Sequence, residues 1–396
     1  MKCLLVSFFN SHNIGDCIIA DTLYKFTSEE YDTEKYSYSG NPYTITDINN
    51  ITATNEVRNT GRKKIIYELL KKAKLDFIIS SYRLLNNNNT KIMKNDFESK
   101  IANVDLLVIG GGNMIFDLDK HSNSGEKFDN LVSIAKKNDT KVFAISMGIG
   151  PFYNEGQEIK ACEALKKCDY ITFRDQKSYD IYSQHVKQLE NVDISIDPVF
   201  FLPVKAQTIK KERKSIGVNF LNSNLINNNK KEYNNLIIEY TELVERLRDE
   251  LDVNVILFST DLSDYETIYQ IYNQLSCKDG IIVKDINGFN QLIDLYGNIS
   301  LLVGMRMHAM IIAYTQHIPV IGLSWQPKVE SFFDIIDSKD SVFEYKEIQN
   351  SLDSIVALSN SKMINLRNEK EKIMSTLDNI RTKKNIDRKI LMKFSR

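Results

Sequence analysis

The chain has 396 residues, of which 42% are hydrophobic and 26% are charged, and its formal net charge is −1. These values are typical of an ordinary globular protein, and the nearly neutral charge gives no sign of nucleic-acid binding. Because a domain usually has about 100–200 residues, the length predicts two domains.

Cysteine usage and hydropathy indicate the cellular compartment. The five cysteines form no CxxC pair and no Cys/His cluster at zinc spacing, which predicts a reducing compartment and no structural metal. The apolar run at the N-terminus is too short for a signal peptide. No segment approaches the ~20 apolar residues that span a bilayer. We therefore expect a cytoplasmic protein.

The first strand and helix enclose a polar loop. An apolar run over residues 4–9 predicts a buried strand, and Asp16 is predicted to cap the helix that follows. Asn10, Asn13, Gly15 and Asp16 are candidates for contacts with sugar hydroxyls. The same residue types also serve ordinary loop and cap chemistry.

Polar segments follow this unit. Residues 33–60 and 86–89 are weakly patterned, and we interpret them as loops. Helices are predicted over residues 63–85 and 92–101, where the apolar residues recur at helical spacing.

Two glycine-rich segments follow predicted strands. The strand over residues 105–109 leads into a turn at residues 110–113, and the strand over residues 141–146 leads into a turn at residues 147–152. Such glycines allow a close backbone approach to a ligand or simply form a tight turn. Neither segment is GxGxxG or a Walker A motif, so a dinucleotide or nucleoside triphosphate site gets no support. The candidate ligand contacts here are Gly111, Gly112, Asn113, Gly148 and Gly150.

A cation marks the end of the next predicted strand. The strand over residues 169–173 ends at Arg174, and a helix is predicted after Asp175. Residues 194–201, which include Asp197, close this half of the chain.

A change of composition separates the two halves. Residues 203–213 are polar and lysine-rich, and we place the domain boundary there. A second α/β series then begins, with strands predicted over 215–220, 253–259 and 281–284 and helices over 231–250, 263–275 and 289–295. We predict two Rossmann-like domains facing across a cleft, over residues 1–205 and 214–340, and a helical tail over residues 341–396.

The stretch over residues 299–333 carries the strongest signal for a site. A strand breaks at Gly304, Arg306 and His308 follow, and Lys328 comes after the next strand. If Arg306 and His308 lie on extended backbone, their side chains point the same way, beside a helix N-terminus. That group suits a small polyanion with carboxylate or phosphate. A structural histidine and a surface arginine are the ordinary alternative.

The sequence of the C-terminal tail is basic and predicts an amphipathic helix. Residues 359–396 carry eleven Lys/Arg against four Asp/Glu, and Ile373, Leu377 and Ile380 form an apolar stripe. We favour packing of this stripe on the body of the protein. Peripheral contact with the inner face of a membrane is the lesser alternative.

Taken together, these motifs resemble the polysaccharide pyruvyltransferase family over residues 1–335. The matching pieces, in chain order, are Asn10/Asn13-Ile14-Gly15-Asp16, Gly110-Gly111-Gly112, Gly148-Ile149-Gly150-Pro151, Phe173-Arg174-Asp175, Asp197-Pro198, Gly304-Met305-Arg306-Met307-His308-Ala309 and Pro327-Lys328-Val329. The resemblance implies a fold similar to the GT-B glycosyltransferases. It also implies transfer of pyruvate from phosphoenolpyruvate to a saccharide as a ketal, without a metal or other cofactor.

The resemblance also implies roles for individual residues. His308 is expected to be the general acid/base, because its ordinary pKa suits proton transfer near neutrality. Arg306, Lys328 and Arg174 are expected to bind the carboxylate and phosphate of the donor. The polar and glycine-rich loops of the first half, with Gly304 in the second, are expected to complete substrate binding. The acceptor is a saccharide, with a lipid-linked form as an option.

Two other functions remain open at this stage. A GT-B glycosyltransferase that uses a nucleotide sugar would share the two-domain cleft and the cations of the second half. A saccharide-binding protein without activity would keep the fold and consume no donor.

Overall fold

A computed structural model describes residues 1–9, 11, 13–38, 95–117, 122–205, 215–222, 230–383 and 385–395. Asn10, the predicted loop over residues 86–89 and the predicted helix over residues 63–85 lie outside the described residues. In the segment predicted as helix over residues 92–101, residues 95–101 are helical.

The first half of the chain builds a six-stranded parallel sheet in the order β2-β1-β3-β4-β5-β6. Its strands are β1 Lys2–Ser7, β2 Asp32–Ser37, β3 Leu106–Ile115, β4 Lys141–Ile149, β5 Tyr170–Phe173 and β6 Val192–Ile194. The helices that go with it are α1 Ile14–Ser28, α2 Ser124–Lys137, α3 Glu155–Lys166 and α4 Gln176–His185, and Pro198–Phe201 forms a 3₁₀ turn. The strand order reverses direction between β1 and β3, which places the loop after β1 at a switch point.

The second half builds another six-stranded parallel sheet in the order β12-β11-β10-β7-β8-β9. Its strands are β7 Ser215–Asn219, β8 Asn254–Phe258, β9 Ile281–Val283, β10 Leu301–Gly304, β11 Val320–Ser324 and β12 Val342–Glu344. Its helices are α5 Lys230–Leu251, α6 Tyr265–Gln274, α7 Phe289–Tyr296, α8 Met307–Thr315, α9 Pro327–Ile335 and α10 Ile348–Ile364. This is the strand order of a Rossmann fold, with its switch point between β7 and β10.

The first half differs from the sequence prediction at β2 and at both glycine-rich segments, of which the second, predicted as a turn over residues 147–152, remains in β4 up to Ile149. Residues 32–37, mostly predicted as loop, form the edge strand β2, where the side chains are largely exposed and only Tyr36 is buried. The predicted turn at residues 110–113 is instead part of β3, since Gly110 and Gly112 pair with Ile145 and Met147 of β4. An edge strand has one solvated side and a polar sequence, which is why pattern alone did not reveal β2.

The glycines of β3 serve the packing of α1. Gly111 has a φ of +80°, and a Cβ there would lie 2.2 Å from Cγ2 of Ile19. A Cβ at Gly112 would lie 3.4 Å from Cδ1 of the same isoleucine. The space that glycine provides is therefore taken by a helix side chain.

The tail folds back over both halves. Helices α11 Leu366–Lys383 and α12 Ile386–Ser395 follow α10. The predicted stripe is buried, with Ile373, Leu377 and Ile380 only 2%, 1% and 7% exposed, so it packs on the body. Among the described residues no helix is both long and apolar enough to cross a membrane.

A buried carboxylate fastens α12 to the first sheet. Asp387 is 3% exposed and accepts hydrogen bonds from the hydroxyls of Ser146, Thr172 and Ser195. Burial raises its pKa from 3.8 to about 6, although the three hydroxyls oppose the shift. The folded protein therefore disfavours the ionised form relative to the unfolded chain.

Asp387→Asn is expected to change how stability depends on pH. A carboxyl whose folded pKa is raised contributes its full stability below pH 3.8, and loses it as pH rises through 6. The loss is about 3 kcal/mol in total, and about half of it falls between pH 5 and pH 8. Over that range the unfolding free energy of the Asn variant, measured with denaturant, should rise relative to wild type. Asp32→Asn, on the exposed edge strand, is the control and should show no such trend; an equal trend in both would contradict the role of Asp387.

Candidate functional site

The first turn of α1 lies against the second half of the chain. The Ile14 amide donates to the carbonyl of Thr260, at 2.8 Å. Asn13 caps the helix by accepting from the Gly15 amide, at 2.8 Å. The predicted cap at Asp16 is thus wrong by three residues, because a cap precedes the first helical amide that it binds. Helix α1 therefore brings its positive dipole end to the cleft.

The first turn of α1 lies against His308. A Cβ on Gly15 would lie 2.4 Å from Cβ and 2.7 Å from Nδ1 of His308. The imidazole is 8% exposed, with Nδ1 3.7 Å from Asp16 and Nε2 3.4 Å from Asp197. Both carboxylates belong to the first half of the chain, so the histidine of the second half lies between two of its acids.

Arg306 is held by carboxylates of its own half. Its Nε and Nη2 donate to Asp264 at 2.8 and 2.6 Å, and Nη2 lies 3.2 Å from Asp261. Burial lowers the pKa of Arg306, but the hydrogen bonds and charge of Asp264 outweigh burial and raise it overall. Arg306 is the cap residue of α8 and His308 lies inside that helix. The predicted extended backbone across both residues is therefore wrong, and their side chains reach different partners.

Arg174 lies at the end of β5 and is 5% exposed. Its Nε donates to Asp175 at 3.3 Å, and its Nη1 lies 3.6 Å from Asp197. Gly148 makes room for it, since a Cβ there would lie 2.7 Å from Nε and 2.8 Å from Cζ of the arginine. The second glycine-rich segment thus positions a cation.

Lys328 lies in the first turn of α9, beside Trp325, with Nζ 5.6 Å from the centre of the indole ring. Burial, with a contribution from the charge of Arg174, lowers its pKa to about 8. Asp16 and Asp197 act in the opposite direction. Within the described part of the chain Lys328 forms no ion pair, so its charge is the least compensated of the three cations.

Among the other predicted contacts, Asn113 and Gly304 have structural roles. The Asn113 amide donates to the Gly150 carbonyl at 2.8 Å, which joins the ends of β3 and β4. A Cβ on Gly304 would lie 3.2 Å from Cγ of Met310, so this glycine serves the packing of α8. The structure brings together Arg174, His308, Lys328 and Asp16, and it places Gly111 and Gly112 behind α1.

Three acids and one amide of this region carried no role in the sequence prediction. Asp197, Asp261 and Asp264 neutralise the cations, and Asn219 accepts from the Arg306 amide at 3.0 Å. All four lie at or just after strand ends, which is the one sequence signal that singles them out. The described residues contain no group of three or more His, Cys, Asp or Glu placed to hold a metal ion.

One family model matches most of the chain. A family model described as polysaccharide pyruvyl transferase matches residues 8–327. None of the curated proteins compared with the chain matches it in sequence.

Solved structures confirm the GT-B-like fold. HepE of Anabaena, in complex with UDP and glucose, is 9% identical with a TM-score of 0.55 over 100% of this chain and 98% of its own. The lipopolysaccharide outer core galactosyltransferase WaaB is 11% identical, with a TM-score of 0.52 over 100% and 99%. The UDP-GlcNAc 2-epimerase of Methanocaldococcus jannaschii is 11% identical, with a TM-score of 0.50 over 90% and 92%. At these identities the likeness concerns the fold.

Two glycines offer a matched test of the contact between α1 and His308. Gly15 and Gly156 both follow an Asn cap by two residues, and both amides donate to that cap, at 2.8 and 2.9 Å. Gly15→Ala should destabilise the protein by about 1–3 kcal/mol, because its Cβ meets the buried imidazole. Gly156→Ala should be neutral or stabilising by up to about 1 kcal/mol, since alanine favours the helix and only a cap oxygen lies near, at 3.1 Å.

Denaturant unfolding of both variants measures the difference. Equal changes in the free energy of unfolding would show that α1 does not pack on His308 as described.

Proposed function

The chain belongs to the polysaccharide pyruvyl transferase family of enzymes, and on that premise we propose that phosphoenolpyruvate is its donor. Pyruvate would pass to a sugar of a surface polysaccharide, or of its lipid-linked precursor, as a ketal. The observation that carries the proposal is the convergence of Arg174, Lys328 and His308 at the strand ends of two facing sheets. A three-carbon donor with a carboxylate and a phosphate needs such a group of cations beside one acid/base.

The cations that would bind the donor differ in how far neighbouring carboxylates already compensate their charge. Lys328 has no carboxylate partner among the described residues, and Arg174 shares its charge with Asp175 and Asp197. Arg306 has Nε and Nη2 committed to Asp264, so only Nη1 is left for a ligand. Lys328 and Arg174 would therefore bind most of the donor charge, and Arg306 would add one contact while holding the start of α8.

The reaction needs one proton donor and one leaving group. His308 would give its proton to the methylene carbon of the donor, and a sugar hydroxyl would bond to C2. The C2–O bond to phosphate then breaks, and a second hydroxyl bonds to the same carbon. Of the two hydroxyl protons, one replaces the proton that His308 gave and the other leaves with phosphate. The cations would stabilise the negative charge of the departing phosphate.

The acceptor would approach from the first half of the chain. Asp16 is half-buried at the start of α1, and residues 150–152 follow the end of β4. A lipid-linked acceptor would bring the chain to the inner face of a membrane. There the basic side chains of the tail would meet anionic headgroups, since its apolar stripe is already buried.

A nucleotide-sugar glycosyltransferase is the second candidate, because the fold matches HepE in complex with UDP and glucose. The two functions differ in which donor substrate is consumed. Pyruvyl transfer consumes phosphoenolpyruvate and releases inorganic phosphate, whereas glycosyl transfer consumes the nucleotide sugar and releases a nucleotide.

Incubation with phosphoenolpyruvate and a panel of glycosides is expected to release phosphate and to add a carboxyethylidene group, detected by mass. His308→Ala should lower kcat by about 10²–10⁴-fold, since it removes the proton donor. His185→Ala is the control. It removes the last residue of α4, which pairs with Glu158 of α3, and it should retain activity. Turnover of a UDP- or GDP-sugar with phosphoenolpyruvate untouched would overturn the proposal.

Donor affinity is expected to fall as pH rises through about 8. Lys328 has a lowered pKa of about 8, so it is cationic below that pH and neutral above it. One unit above the pKa, about a tenth of the lysine remains charged, and the Kd for phosphoenolpyruvate, measured by calorimetry, should rise by up to about tenfold.

Lys328→Arg keeps a cation at every pH of the series and is the matched control. Its affinity should remain level across the same range, and an identical fall in both proteins would assign the transition to another group.

A further inference from the structure

Three buried polar atoms meet in the cleft without hydrogen bonds. They are Nη1 of Arg174, Oδ2 of Asp197 and Nε2 of His308, in side chains that are 5%, 4% and 8% exposed. The carboxylate oxygen lies 3.6 Å from the guanidinium nitrogen and 3.4 Å from the imidazole nitrogen. Buried polar atoms are nearly always hydrogen-bonded, so three neighbouring ones at ion-pair distance but without a hydrogen bond call for an explanation.

The carboxylate of Asp197 is fixed through its other oxygen. Oδ1 accepts from the Val199 amide at 3.1 Å, and the 3₁₀ turn Pro198–Phe201 that follows is largely buried. This bond leaves Oδ2 directed at His308. Burial raises the pKa of Asp197, but His308 and Arg174 outweigh burial and hold it below the ordinary value, so the acid is ionised at neutral pH.

The two nitrogens of His308 face different surroundings. Nε2 is fully buried beside Asp197, whereas Nδ1 lies on the side of the half-buried Asp16. The other charged groups around the imidazole are Arg174 behind Asp197, Arg306 at the start of the same helix, and Lys328 from α9. A carboxylate on one nitrogen of a histidine fixes its tautomer and stabilises its charged form, and leaves the other nitrogen for the substrate.

We propose that Asp197 is a positioning residue that accepts the Nε2 proton of His308, so that Nδ1 is the nitrogen that exchanges a proton with the substrate. The inference rests on the proposed function for its catalytic meaning, but the tautomer is a property of the protein alone. Asp197 does not touch the reacting atoms. It acts by keeping the Nδ1 position of the neutral imidazole free of a proton, and by stabilising the imidazolium that has gained one.

Asp197→Asn reverses this arrangement. Its amide oxygen must stay on the Val199 amide, because turning the side chain would place two N–H groups against each other. The amide NH₂ then points at Nε2 and donates to it, which moves the single proton of the neutral imidazole to Nδ1. The substitution keeps the size of the side chain and its bond to Val199.

Imidazole nitrogen spectra of the ¹⁵N-histidine-labelled protein test the tautomer directly. The chain has five histidines, and His308→Gln identifies the signal of interest. Above neutral pH the wild type is expected to carry the proton on Nε2, and Asp197→Asn to carry it on Nδ1. In the pyruvyl-transfer assay the Asn variant should lose about 100-fold or more in kcat with little change in KM.

Two further variants distinguish a positioning role of Asp197 from a general loss of structure. Asp175→Asn removes the other carboxylate beside Arg174, keeps the helix cap and does not approach His308; it should leave the tautomer on Nε2. Asp197→Glu keeps the charge and should retain the Nε2 tautomer even if Asp197→Asn unfolds.

The outcomes distinguish this inference from the proposed function. A wild-type protein that carries the proton on Nδ1, or an Asn variant that retains the wild-type tautomer and kcat, would overturn the role of Asp197. Absence of pyruvyl transfer by wild type, with the tautomer switch intact, would overturn the proposed function and leave the positioning of His308 standing.

Discussion

The contact between the first turn of α1 and His308 is the constraint on which the site depends. Glycine at position 15 lets the helix backbone lie against the imidazole, where any side chain would collide with it. The neighbouring Ile14 amide is bonded to Thr260, and the loop after Thr260 carries the two acids that hold Arg306. One contact between the halves therefore positions both the histidine and the arginine of α8.

Charge is arranged around this contact so that Arg174 and Arg306, both buried, have acidic partners. Arg174 has Asp175 and Asp197, and Arg306 has Asp264 in a two-point pair. An unpaired buried charge costs several kcal/mol, so these acids are what permit guanidinium groups in the cleft. Lys328 differs, because its pKa is lowered to about 8 by burial and by Arg174. An incoming anion would relieve that cost, so binding free energy is available at the lysine more than at either arginine.

The sequence predicted the order of elements well, because buried parallel strands are continuous apolar runs and most helices here show a clear apolar face. It also predicted that His308 and Lys328 would lie at one edge of the second sheet, since both follow strands of that parallel sheet, and the resemblance implied that Arg174 would reach them from the first half. It failed where local sequence does not decide the geometry. The start of α8 depends on Asn219 and Asp264, which are distant in sequence, and so the extended backbone considered for both residues holds at Arg306 but not at His308, which is already helical.

The glycines also show that the local sequence does not decide the role of a residue. A glycine after a strand is equally compatible with a ligand and with a neighbouring helix, and only the fold distinguishes them. At Gly111 the neighbour is Ile19, and at Gly148 it is the guanidinium of Arg174. One serves the core and the other serves the site, although both belong to glycine-rich segments of similar appearance.

The switch point of the second sheet bears on the size of the donor. Ligands of Rossmann folds bind where the strand order reverses, here between β7 and β10. In this chain that crevice holds the protein's own groups: the Asn219 side chain donates to the Phe258 carbonyl and accepts from the Arg306 amide, at 3.0 Å each. Lys328 follows β11 of the second sheet and Arg174 follows β5 of the first. A ligand that meets both would lie between the sheets. Such a position would suit a small dianionic donor more than a nucleotide extended along one sheet, and this argument supports the proposed donor.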